Sequence, residues 1–296
     1  MKIDLHIHTS TGSDGRMTVE EVFAEAKARG LDVMAITDHD SIRAQERAQD
    51  LARHYGIRYL PGVELNVTFS HPDYRGGKAI SLDFLGYGID PTHGPLMAKL
   101  EELANHRELR AAKILENLNR EFAKEGIEAL TSTDMEAIQD SVDGSLGRPH
   151  IANYLIAKGI VEDKQTAFDR YLVKCDVPKM PLSLPEASNL VHAAGGFIVL
   201  AHANDPNGTS LVRFTESLTE QQEIIAASML DLIDGVECWH SRHDAESSAS
   251  YLAFAQERGL MVTGGSDCHQ QPILMGSVEV PELVLGQEAF LKGLEG

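Results

Sequence analysis

Residues 3 to 8 read Ile-Asp-Leu-His-Ile-His, and this alternation constrains the chain more than any other feature. Ile3, Leu5 and Ile7 fall on one face of a strand and Asp4, His6 and His8 on the other, because side chains along a strand alternate with period two. One face is expected to be buried, and the other to carry two imidazoles side by side. A helix should follow. Thr18 with Glu21 forms a capping box, Val22, Ala26 and Leu31 keep an apolar stripe, and Gly30 supplies a left-handed stop, so residues 19 to 29 are expected to be helical. The pattern then recurs. Val33 to Thr37 is a short buried strand ending in Asp38-His39-Asp40, a helix runs from about Ile42 to Tyr55 and stops at Gly56, and Arg58 to Leu65 makes a third strand ending near Glu64. Strand, polar residue and helix repeated in this way predict an α/β fold with a parallel sheet or barrel, whose functional groups collect at the carboxyl ends of the strands.

The loop from Asn66 to Lys78 is rich in Gly, Pro and His and precedes another strand, Ile80 to Tyr87. From Leu96 to about Pro185 the periodicity becomes helical, which predicts a helical insert over residues 96 to 185 between two barrel segments, 1 to 95 and 186 to 296. Strands are expected again at Gly196 to His202, Gly235 to Trp239, Leu260 to Gly264 and Ser277 to Val280.

Charge and cysteine usage narrow the function. The 296 residues carry a formal charge of −19, which repels phosphate backbones and argues against an extended nucleic-acid surface. Residues 214 to 296 hold 14 acidic against 3 basic side chains, a contribution of −11. An anionic ligand there needs cations supplied locally. Three scattered cysteines, Cys175, Cys238 and Cys268, make neither a disulfide framework nor a thiolate zinc site and fit a reducing compartment. No apolar run reaches the roughly 18 residues of a membrane span, and the first strand leaves no room for a signal peptide, so no membrane association and a cytoplasmic location are expected.

The histidines carry the functional signal. His6 and His8 face the same way, and Asp14, His39, Glu64, His202, Asp267 and His269 each stand at or just past a predicted strand. Nitrogen and carboxylate oxygen without thiolate suit Mn, Zn or Fe(II), and more than four such groups imply two or three divalent ions. Carboxylates gathered so closely repel one another unless cations neutralise them. His54, His71, His93, His106 and His192 lack this setting and are assigned no role.

The segments DLHIHTSTGSDG at 4 to 15, ITDHD at 36 to 40, GVE at 62 to 64, LAH at 200 to 202 and GGSDCH at 264 to 269 resemble, in order, those of the polymerase-and-histidinol-phosphatase (PHP) family of metal-dependent phosphoesterases. GRPHIANYLIAKG and VECWH further resemble its small-phosphate branch, labelled TrpH-like or YciV-like. The resemblance implies a distorted (β/α)7 barrel and metal ligands at His6, His8, Asp14, His39, Glu64, His202, Asp267 and His269, with Glu64 bridging ions. One position departs. Family members show a histidine in a strand of the form V-H-I-L-G, whereas this chain reads Ser81-Leu82-Asp83-Phe84-Leu85-Gly86, so Asp83 takes the ligand position and adds a negative charge.

Such a centre would make a hydroxide nucleophile and neutralise phosphoryl charge. For substrate phosphate, the best protein donors are in Gly147-Arg148-Pro149-His150, since Arg148 offers a planar fork, and in the resembling branch this Arg and His150 face the site. A helix start would explain the same tetrapeptide. Arg16 is a weaker candidate, and His202, His240 or His243 could protonate the leaving group, with His240 also able to touch substrate. The expected activity is hydrolysis of a small ribose or nucleotide phosphate, with manganese as the first choice of ion and His202, Glu64 and Arg148 in catalysis. A cyclic phosphodiesterase of the phosphoribosyl 1,2-cyclic phosphate type ranks just above a 3',5'-nucleoside bisphosphate phosphatase or a 5'-3' exoribonuclease-like activity, on Asp83 alone. An amidohydrolase is the competing enzyme class, because those barrels also open with H-x-H, but they bridge their metals with a carboxylated lysine and no lysine stands at a strand end here. A non-catalytic metal-binding module is the third.

Overall fold

The computed structural model describes residues 1–140, 148–269 and 274–295, which form two compact units, residues 1–98 with 181–296 and residues 99–180. In the first unit β1 (Ile3–Ile7), α1 (Val19–Ala28), β2 (Val33–Ile36), α2 (Gln45–Tyr55) and β3 (Arg58–Tyr59) follow one another, and the three strands pair in parallel in the order β1-β2-β3. β4 (Gly62–Phe69) and β5 (Ile80–Tyr87) precede the helical region. That region comprises α3 (Gly94–Glu125), α4 (Ser132–Asp140), α5 (Arg148–Ala157) and α6 (Lys164–Ala167). The chain closes with α7 (Leu184–Ala193), β6 (Phe197–Leu200), α8 (Leu218–Ser228), β7 (Gly235–His240), α9 (Ala245–Arg258), β8 (Met261–Gly265) and α10 (Glu288–Glu295).

A second sheet runs β4-β5-β6-β7-β8, with β5 antiparallel to both its neighbours and β6, β7 and β8 parallel. Single bridges at Ile7–Cys268 and His39–Glu64 join the two sheets. The architecture is mixed α/β, but not the uniformly parallel array that the βα repeats predict: β5 is reversed. Its reversal has a consequence for the site. A ligand candidate on β5 reaches the same rim from the strand's middle, and Asp83 pairs in register with Asn66 instead of following a carboxyl end.

Four further expectations need correction. The strand expected over Arg58 to Leu65 is broken at Leu60-Pro61, where proline offers no N–H to a ladder, so β3 completes one sheet and β4 opens the other. β4 then runs on to Phe69, paired in register from Gly62–Tyr87 to Phe69–Ile80, so the loop begins only at Ser70. Ser277 to Val280 is not a strand; it is irregular chain with a bend at Val278, ahead of Pro281. α2 starts at Gln45, later than the apolar pattern suggests, and the Gln45 side-chain amide donates to the carbonyls of Ile36 at 3.0 Å and Gly62 at 2.7 Å and so ties β2 to β4.

The first unit's core sits under β1 and β2, where Ile7, Met34 and Ile36 pack against Val22, Phe23, Ala48 and Leu51 of the two first helices. Cys268 lies in this apolar cluster, on the opposite side from its neighbours Asp267 and His269. Both faces of β1 are buried, Asp4 and His6 included, so its polar face looks into the protein and not into solvent. The second unit has its own core, in which Ile114, Leu118 and Phe122 of α3 meet Ile151 and Leu155 of α5 and Tyr171.

Candidate metal centre

At the rim of the strands, Glu64 stands at the middle of an array of imidazoles. Its Oε2 lies 3.3 Å from Nε2 of both His6 and His8 and 3.0 Å from Nδ1 of His39, while Oε1 lies 3.0 Å from Nε2 of His202. Asp267 is the second hub: Oδ1 is 3.5 Å from His6 Nε2, 3.2 Å from His8 Nε2 and 3.2 Å from His269 Nδ1. Asp14 reaches His269 at 3.1 Å and His39 at 3.8 Å, and Asp83 lies 3.8 Å from His202. Ligand-type atoms of His8, Asp14, His39 and His269, of His6, His8 and Asp267, of His6, Glu64 and His202, and of His39, Glu64 and Asp83 each fall within 4.8 Å of one another. All nine side chains marked as ligands in the sequence are thus brought to one place.

Divalent ions fit this array. His6 Nε2, His8 Nε2, Glu64 Oε2, Asp14 Oδ1 and Asp267 Oδ1 are buried and have no hydrogen-bond partner, which is costly for polar atoms unless a cation satisfies them. The outward nitrogens set the ring orientation. His6 Nδ1 faces Glu237 Oε1 at 3.1 Å, His8 Nδ1 faces Ser13 Oγ at 3.4 Å, and His269 Nδ1 faces the Asp267 carbonyl at 3.0 Å. Ser13 Oγ itself donates to Asp38, so it accepts from His8. Each of these partners accepts a hydrogen bond from Nδ1–H and leaves the Nε2 lone pair directed into the cluster, as a metal ligand requires.

Charge in the metal-free protein is balanced by protons. Burial alone would raise the Glu64 carboxyl, but His39 and His6 outweigh it and hold the group well below its ordinary range; for Asp267, burial is outweighed in the same way by His6 and His240. Burial opposes a proton on His202, yet contact with Glu64 pushes it up to about 9; on His269, burial is overcome by Asp14 and Asp267, and the value rises to about 11. Asp83 behaves differently. Burial, followed by repulsion from Glu64, pushes it up to about 6, although Asn66 Nδ2 donates to its Oδ1 at 2.6 Å and Thr209 to its Oδ2.

Local backbone features hold the set. The loop after β1 folds over Asp38, whose carboxylate accepts from Thr9 N at 2.6 Å, Thr9 Oγ1 at 2.7 Å and Ser13 Oγ at 2.8 Å. Gly15 is needed because a Cβ there would lie 2.5 Å from the His8 carbonyl. The loop after β8 folds over Asp4, which accepts from Ser266 N at 2.8 Å and Ser266 Oγ at 2.6 Å. His202 (φ 25°) and Asp267 (φ 55°) both occupy the left-handed region, a strain that non-glycine residues tolerate where packing and function demand it.

Glu237 was not marked by the sequence pattern, yet it is fully buried and supports two members of the array, facing His6 Nδ1 and accepting from the His202 backbone N–H at 2.8 Å. Its signal was available: a carboxylate two residues into a strand, between Val236 and Cys238. Asp38 and Asp4 were likewise passed over.

The expected substrate contacts are placed as follows. His240 is buried within ligand distance of His6 and Glu237. His243 has both ring nitrogens engaged, Nδ1 with the Cys238 carbonyl at 3.2 Å and Nε2 with Asn204 N–H at 3.4 Å. The exposed Arg16 links the first and last loops through its backbone N–H, which donates to the His269 carbonyl at 2.7 Å. In the second unit Arg148 opens α5, 2.7 Å from Asp176 Oδ2 and over the Phe168 ring at 5.5 Å, and the half-buried His150 stands in the same first turn. Gly147 lies outside the described residues.

The chain is similar to known proteins over most of its length. The PHP domain model matches residues 4–263. Over 274 residues the chain is 30% identical to a 5'-3' exoribonuclease of Haemophilus influenzae, with 90% of each chain covered. It is 29% identical over 270 residues to a 3',5'-nucleoside bisphosphate phosphatase of Chromobacterium violaceum (90% of this chain, 87% of that one). Against a phosphoribosyl 1,2-cyclic phosphate 1,2-diphosphodiesterase of Eggerthella lenta it is 27% identical over 270 residues (90% and 93%). Among solved structures, a Bifidobacterium adolescentis protein named as a metal-dependent phosphoesterase superposes with a TM-score of 0.74 at 29% identity, covering 98% of this chain and 96% of that one. No helix among the described residues is long and apolar enough to cross a membrane. The chain belongs to the PHP domain family.

Proposed function

We propose that this chain, a metal-dependent phosphoesterase by its family, hydrolyses a small ribose or nucleotide phosphate at a centre of two or three divalent ions held by His6, His8, Asp14, His39, Glu64, Asp83, His202, Asp267 and His269. The single observation that carries this reading is Glu64, a buried carboxylate with Oε2 facing three imidazoles and Oε1 a fourth. The two bridged sheets are interpreted as a distorted (β/α)7 barrel, with its carboxyl-end rim as the site.

When bound, the ions supply a hydroxide nucleophile near neutral pH and neutralise the phosphoryl oxygens. The chain's own residues do the rest. Glu64 and Asp267 hold adjoining sets of ligands at fixed separation, and Glu237 and Asp38 orient His6 and His8 through their partners. Arg148 and His150 are assigned to substrate phosphate, because the planar guanidinium fork pairs with phosphate oxygens. Of the candidates for leaving-group protonation, His243 has both ring nitrogens engaged, and His202 serves in that role only where its Nε2 is not taken by an ion.

For the substrate, Asp83 favours the cyclic phosphodiester, since an extra carboxylate replaces a neutral ligand and changes the charge that the ions present. A second reading, a nucleoside bisphosphate or short RNA as substrate, is favoured by the relatives at 30% and 29% identity. Manganese is the first choice of ion. A manganese-loaded sample screened against phosphoribosyl 1,2-cyclic phosphate, 3',5'-bisphosphates and short RNA decides between them, and no turnover of any phosphate ester would sink the whole proposal.

A further inference from the structure

An arginine stands beside the metal centre on the loop between β7 and α9. Arg242 Nη1 lies 3.9 Å from Asp267 Oδ2, beyond hydrogen-bond reach, and among the described residues of the first unit no other Arg or Lys side chain is at ion-pair distance from a carboxylate of the array. A buried carboxylate holds it there. Asp205, on the loop after β6 and 1% exposed, accepts from Arg242 Nη1 on Oδ2 at 2.6 Å and from the Asn207 N–H on Oδ1 at 2.8 Å, and Gly208 packs so closely that a Cβ would stand 2.5 Å from Oδ2. The Arg242 backbone is pinned as well. Its N–H donates to His240 Nδ1 at 3.2 Å, in a turn closed by the His243 N–H to the His240 carbonyl at 3.0 Å. The guanidinium is thus fixed at one corner, while the side chain stays 46% exposed and Nε and Nη2 have no hydrogen-bond partner among the described residues.

We infer that Arg242 is a substrate contact: its remaining N–H groups bind the reacting phosphoryl group of a substrate held at the metal centre, with Asp205 as the positioning residue behind it. Two physical arguments carry this. A guanidinium keeps its charge at every working pH, so beside divalent ions it adds repulsion, which an anion lying between them removes. The planar fork also matches phosphate oxygens, and a cation already oriented by a buried partner stabilises developing phosphoryl charge without first having to reorganise. An ion pair that served only to close the loops after β6 and β7 has no need of the approach to Asp267 or of the open donors.

The inference rests on the metal centre proposed above, and its test separates the two. Arg242→Ala and Arg242→Lys are compared with the parent protein, each loaded with manganese and freed of excess ion, for ion content, for affinity toward inorganic phosphate by calorimetry, and for kcat and KM on the phosphate ester the parent turns over. For Arg242→Ala, unchanged manganese content is expected, with phosphate affinity weaker by about 10–100-fold, the scale of a charge-assisted hydrogen bond, and kcat/KM lower to a similar extent. Arg242→Lys keeps the charge without the fork and should recover part of the phosphate affinity. Because Arg242→Ala leaves Asp205 buried and unpaired, the double variant Arg242→Ala with Asp205→Asn serves if the single one does not fold: it removes the stranded charge, keeps an acceptor for the Asn207 N–H and should show the same loss. Parent-like phosphate affinity and kcat/KM in a folded variant would reduce the pair to a loop closure and overturn the inference. Manganese lost in proportion to activity would make Arg242 a support of Asp267 and overturn it equally. A parent protein that binds no manganese sinks the metal centre, and this inference with it, whereas a parent that binds both manganese and phosphate leaves Arg242 alone on trial.

Discussion

His39 and Glu64 are joined twice: their backbones form a parallel bridge between the two sheets, and His39 Nδ1 lies 3.0 Å from Glu64 Oε2. The seam of the fold is therefore also the middle of the metal centre. Sheet closure at this point fixes the separation of two candidate ligands that lie 25 residues apart in the chain.

Glu64→Gln tests the hub. The amide keeps the volume but removes the charge that faces four imidazoles, so bound metal should drop by at least one ion per chain and kcat by roughly 10³-fold or more, on the scale of losing a group that metal-assisted hydrolysis depends on. Elemental analysis of the purified protein alongside phosphate release checks both, and full activity at normal metal content would remove Glu64 from the centre.

Metal binding should strengthen as pH rises. His202 and His269 keep their protons up to about 9 and about 11 in the metal-free protein, and an ion must displace such protons. Calorimetry in buffers of different ionisation enthalpy should show proton release on manganese binding, with affinity climbing between pH 6 and 9. Pure pH independence would contradict the protonated cluster.

The metal-free protein should show the opposite trend in stability. The folded-state value of His202 lies above its ordinary 6.5, so its contribution is complete below about 6.5 and is lost as pH rises through about 9. His269 extends the loss toward about 11. Melting temperature without metal should therefore fall between pH 7 and 10, and saturating zinc or manganese should flatten that slope.

Glu237→Gln should weaken metal binding by about 10–100-fold while the fold persists, because the amide offers one acceptor oxygen where the carboxylate serves both His6 Nδ1 and the His202 N–H. Competition with a chelator measures this directly. Unchanged affinity would mean that β7 merely fills space beside the centre.

Arg148→Ala should raise KM and lower kcat/KM by about tenfold, the scale of one charged hydrogen bond, and leave metal content alone. Unchanged kinetics would return Arg148 to the helix start it occupies beside Asp176 and Phe168.

Much of the site was legible in the chain. Period-two alternation puts His6 and His8 on one face, and the repeated strand-to-helix step places His39, His202 and Asp267 at strand ends, since both are local rules of backbone geometry. Partners were not legible. Glu237, Asp38 and Asp4 become important only because strands distant in sequence lie beside β1, and a buried carboxylate carries no local sign of whom it will face.

By itself, the sequence determined which residue types line the rim and their order along the chain, because strand period and helix caps act over a few residues. Tertiary structure decided the reversal of β5, the break at Pro61 and the direction in which each imidazole offers its lone pair. Those depend on pairing and hydrogen bonds between segments far apart in the chain, such as Asp4 with Ser266, 262 residues away, where only folding brings donor and acceptor within reach.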